Sequence, residues 1–162
     1  MDWLGTLFLY LHVGGAIVAF GPTIAFPLIG ARAAAEPMHG NFALRLSEFI
    51  QSRVVEPGAI FVFLMGVGLI ITRGYNPLEQ LWLAVAIVLF LLTFFYSLLV
   101  QIPTVRTMIA MTSQPPPPPA AGEAPAGPPP AFVALSTKAA RGGMLLTANL
   151  FIILALMIVK PF

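Results

Sequence analysis

One histidine, His12, stands inside an apolar run that extends from about Trp3 to Ile29. It lies about nine residues past Trp3, hence roughly 13 Å along a helix, close to the middle of a bilayer. Ionisable side chains at that depth face protein rather than lipid and tend to mark function. Neutral imidazole is a common metal ligand, so His12 is a candidate axial ligand for haem b or another porphyrin. The alternative is a histidine hydrogen-bonded to a neighbouring helix, with Asn149 as partner. A second ligand is harder to find. His39 falls in a loop with Glu36 nearby, which leaves Met65, Met144, Met157 or a five-coordinate site. No two histidines share a helix at ligand spacing, so a bis-histidine cytochrome is not expected and no metal site is assigned.

Thr93, Ser97 and Gln101 recur every four residues and form a polar stripe on one helical face, with Tyr96 beside it and Asn149 as its natural partner. Such groups tie helices together in lipid. Read more sharply, they line the path of a small transporter subunit, which four spans would need to dimerise to enclose. Arg53 and Glu56 are three residues apart, so a regular helix pairs them at the interface. Arg106 and Lys160 are further interfacial cations, placed to meet haem propionates if haem is bound. Gly15, Ala19 and Thr23 repeat at small-residue spacing, and Gly66, Gly68, Gly142 and Gly143 permit close packing.

These residues are positioned by four apolar stretches. The 162-residue chain is 59% apolar and only 9% charged, with a mean hydropathy of +0.94. A soluble domain carries about a quarter charged residues. Spans are expected at about 3–29, 54–72, 81–100 and 144–159. The third is the clearest: fourteen of its twenty residues are Leu, Ile, Val or Phe, favouring insertion by about 4 to 8 kcal/mol. There are no cysteines, which removes disulfides, iron–sulfur clusters and thiol nucleophiles. Net charge is +2 without a basic cluster, so nucleic acid is not a partner.

Six of the eight cations fall in the first and third loops: Arg32, Arg45, Arg53, Arg106, Lys138 and Arg141. The positive-inside rule then places both termini outside and the long loops in the cytoplasm. Asn41 is a suitable N-cap for a short amphipathic helix running to Val54 with Phe42, Leu46, Phe49 and Ile50 on one face, lying at the interface. Residues 113–131 are proline-rich and read as an extended linker.

Several segments carry a resemblance. Leu11-His12-Val13-Gly14-Gly15-Ala16, Arg53-Val54-Val55-Glu56-Pro57-Gly58-Ala59, Met65-Gly66-Val67-Gly68 and Leu156-Met157-Ile158-Val159-Lys160-Pro161 resemble the bacterial integral membrane proteins of domain-of-unknown-function family 2269. That resemblance implies a multi-pass protein of the bacterial plasma membrane and no activity. An early intramembrane histidine is also distantly similar to HemJ-type protoporphyrinogen oxidases and CopD-type copper-resistance proteins. The oxidases pair that histidine with an intramembrane lysine, and none stands here before Lys160. The extra histidines or clustered methionines of copper handlers are not seen either.

The expectation is an all-α, integral membrane four-helix bundle with one interfacial amphipathic helix. Hydrolase, P-loop, zinc-peptidase and Rossmann motifs are missing. The sequence therefore favours a non-enzymatic accessory or scaffold component, partnered by the lipid bilayer and by other membrane helices or copies of itself, without a cofactor. A haem- or porphyrin-binding redox protein and a small transporter subunit are the alternatives.

Overall fold

The computed structural model describes residues 3–113 and 127–161. Helix follows helix, with no strand among the described residues. The first long helix joins α1 (Trp3–Phe20) to α2 (Phe26–Ala35) through a 3-10 turn at Gly21–Ala25. A short 3-10 turn, Pro37–His39, leads into α3 (Gly40–Ile50), which runs through a π-turn at Gln51–Val55 into α4 (Glu56–Arg73). The third long helix is α5 (Leu81–Tyr96), a π-turn at Ser97–Gln101, and α6 (Ile102–Thr112); the fourth is α7 (Pro130–Val159).

All four are long and apolar enough to cross a membrane, at 33, 37, 32 and 30 residues. Thirty residues span about 45 Å, against a hydrocarbon core of about 30 Å, so every helix overshoots. The helices therefore exceed the apolar stretches expected from sequence. The fourth begins at Pro130 rather than near Met144. Lys138 and Arg141 end its apolar stretch but not its helical propensity, and proline suits a helix start. The last two residues of the expected 113–131 linker are thus helical, while its Pro115–Pro119 run lies outside the described residues.

Three of the four irregular turns share a cause. Each ends two residues before a proline: Ala25 before Pro27, Val55 before Pro57, Gln101 before Pro103. Proline lacks an N–H and its ring crowds the carbonyl four residues back. Tightening or widening the preceding turn relieves that clash without ending the helix. The helix expected over Asn41–Val54 is accordingly present but continuous with α4. Asn41 does not cap it; the N-cap is His39, with no side-chain bond.

Helices pair as antiparallel hairpins, α1 with α4 and α5 with α7, and α3 packs on α6. Gly74, at φ 66°, closes α4 in the left-handed conformation that glycine adopts without strain. The tightest packing is at small residues: Ala19 and Ala86 are almost wholly buried, and larger side chains such as Val62, Trp82 and Leu83 are buried nearly as well. Close backbone approach, not apolar bulk, holds such helices together where lipid is as apolar as leucine.

Candidate functional site

α1 and α4 approach through reciprocal small residues. A Cβ on Gly58 would strike Ala19, one on Gly15 would strike Phe61, and one on Gly68 would strike Phe8. Gly66 makes room for His12 in the same way. His12 sits half-buried in this seam, and its Nδ1 donates to the Val62 carbonyl at 2.8 Å. A carbonyl only accepts, so in the neutral ring Nδ1 carries the proton and Nε2 keeps its lone pair. The partner is thus a backbone carbonyl on α4 and not Asn149. Spacing placed His12 on the small-residue face with Gly15 and Ala19, and the structure sets all three against α4. Thr23 lies in the 3-10 turn and donates to Phe20 O at 2.6 Å.

The polar stripe is brought together with Asn149 and with groups that spacing did not reveal. Thr93 donates to Leu89 O at 2.7 Å. Asn149 donates from α7 to the Thr93 hydroxyl and, at 3.2 Å, to Leu89 O. Ser97, only 8% exposed, meets Gln51 Nε2 at 3.0 Å, which joins the two π-turns directly. Gln101 donates to Ala139 O on α7 at 3.0 Å, and Gly142 admits both Gln101 and Tyr96 at that crossing. Every member of the stripe is held by another group in the fold.

The four interfacial residues divide into separate environments. No ion pair joins Arg53 to Glu56 among the described residues. The π-turn inserts an extra residue, so positions three apart no longer share a face. Instead Glu48 accepts two hydrogen bonds from Arg106, from Nε at 2.9 Å and Nη2 at 2.7 Å, linking α3 to α6. Asn41 reinforces that contact, donating to Ile109 O at 3.1 Å and Thr112 Oγ1 at 2.9 Å. One Glu56 oxygen is buried without a hydrogen-bond partner among the described residues, within electrostatic range of Arg106 and Glu48. Lys160 is at the other end of the molecule. Its Nζ lies 5.3 Å from the Tyr75 ring centre and 5.4 Å from that of Trp82, with the Tyr75 hydroxyl at 3.3 Å. His39 is exposed beside α2 and α3, far along the chain from His12.

These contacts define levels. From the Trp82–Lys160 cluster to the Gln101–Ala139 crossing, α5 and its π-turn advance about 19 residues, roughly 28 Å. A hydrocarbon core of about 30 Å fits between them, with Arg53 and Arg141 at its second boundary. Aromatics and a lysine at one edge and arginines at the other match the anchors of spanning helices. Among the described residues no three His, Asp or Glu side chains cluster as a metal site.

Neither the curated proteins nor the solved structures contain a match to the chain. The sequence pattern of one family does match, over residues 6–161, nearly the whole length, and it takes in the seam, the stripe and both edges of the apolar core. On that match the chain belongs to domain-of-unknown-function family 2269, the predicted integral membrane proteins.

Proposed function

We propose that the protein is a non-enzymatic accessory or scaffold component of the bacterial plasma membrane, a four-helix bundle that acts through helix packing. One observation supports this reading above others. The polar side chains within the spans, His12, Thr93, Ser97, Gln101 and Asn149, all bond to groups of the fold itself, and each takes part in a bond between helices. Groups engaged this way fix which helices meet and at what register. Its partners are the bilayer and other membrane helices, a second copy included. The cation bias supports an orientation with the termini outside and the α3–α6 end at the cytoplasmic headgroups. The purified protein is then colourless, and His12→Ala still assembles in the membrane.

A haem-binding redox protein is the second reading, favoured by one feature of the same bond. Ligating histidines generally donate their other ring nitrogen to a carbonyl or carboxylate, which fixes the ring and the tautomer. His12 does this through Val62, leaving Nε2 as the free donor atom. A Soret band in the purified protein, abolished by His12→Ala, would establish that reading in place of the first. A colourless sample after reconstitution with excess haem would dispose of it.

A further inference from the structure

Beyond the π-turns, α3 and α6 enclose an open groove of about 670 Å³ whose walls include Asn41, Phe42, Arg45, Glu48, Phe49 and Arg106. The charges on its walls do not balance. Two guanidinium groups line it against one carboxylate, which Arg106 alone engages, while Glu56 lies behind the wall within electrostatic range of Arg106. Arg45 is exposed and makes no hydrogen bond or ion pair among the described residues. Arg106 keeps its remaining N–H donors, and its side chain is 62% exposed. Beside these cations Phe42 and Phe49 are 68% and 58% exposed. The groove therefore offers an anion site and a greasy surface together.

Depth selects the occupant. Arg45 lies about eight residues beyond Arg53 and Arg106 about five beyond Gln101, hence roughly 8 to 12 Å outside the hydrocarbon boundary. The headgroup layer is roughly 5 to 8 Å thick, and arginine side chains reach back toward it. Phosphate suits a guanidinium fork geometrically as well as electrically. We propose that the α3–α6 groove is a binding site for an anionic phospholipid, its phosphate held by Arg45 and Arg106 and its glycerol and upper acyl chains lying over Phe42 and Phe49. The site depends on insertion in a bilayer and not on whether the accessory or the haem reading holds.

The full chain, purified from equal mixtures of phosphatidylglycerol and phosphatidylcholine, tests this by native mass spectrometry of retained lipid. Phosphatidylglycerol should be retained several-fold over phosphatidylcholine. Arg45→Gln, which breaks no hydrogen bond or ion pair among the described residues, should remove most of that preference, while Arg53→Gln, also an exposed arginine but outside the groove, should keep it. Equal retention of the two lipids, a preference that survives Arg45→Gln, or equal losses in both variants would overturn the site. Displacement of phosphatidylglycerol by inorganic phosphate would overturn it too, since the phosphate alone would then be the ligand.

Discussion

His12 was visible in the sequence as an intramembrane polar group, and its small-residue face pointed correctly to a helix seam. Its partner was not visible, because a backbone carbonyl has no letter in a sequence. The same blindness hid the Ala139 carbonyl that receives Gln101. Adjacent glycines show how far residue type underdetermines role. A Cβ on Gly142 would meet Gln101 and Tyr96, whereas one on Gly143 would meet nothing closer than 3.9 Å. Gly143→Ala should leave stability unchanged or raise it by up to about 1 kcal/mol through helix propensity. Gly142→Ala should lower it by about 1 to 3 kcal/mol through overpacking. Thermal unfolding in detergent separates the two, and equal behaviour would contradict the close crossing of α5 and α7.

Helix existence was legible from apolar content, but helix extent was not. Apolar runs report where lipid ends; helices stop where propensity or caps stop them, which is why α7 starts at Pro130. Pro57 was legible as a perturbation, while the π-turn before it was not, and that turn separates Arg53 from Glu56. Asn41 illustrates the same ambiguity between a local and a tertiary role. Were it a cap, aspartate would serve as well. As a tie from α3 to α6 it needs the amide donor that aspartate lacks. Asn41→Asp and Asn41→Ala should therefore destabilise alike, each by about 1 kcal/mol. Rescue by aspartate would restore the capping role.

For the whole molecule, four apolar stretches and a six-to-two cation split were legible at once. The pairing of α1 with α4 and of α5 with α7 was not legible, because apolar runs do not say which helix each one packs against. At the α3–α6 end, α3 was legible as a short amphipathic helix, whereas α6 was not, because a helix carrying charge beyond an apolar run looks like loop. Topology gives a prediction at this scale. Single cysteines at Glu36 and Ser113 should be blocked by a membrane-impermeant thiol reagent only after the membrane is opened, and one at Asn76 should react in intact cells. The reverse pattern would invert the orientation.

The central claim is that polar groups inside the spans are kept for helix packing. Its most direct measurement is the unfolding free energy of His12→Ala and Asn149→Leu beside the unsubstituted chain, in bilayer-mimicking detergent. Interhelical hydrogen bonds in membranes average about 0.6 kcal/mol and reach about 1.7, so each variant should lose between about 0.5 and 2 kcal/mol. Variants as stable as the parent, or more so, would contradict the account, because a polar group that stability does not need is retained for chemistry.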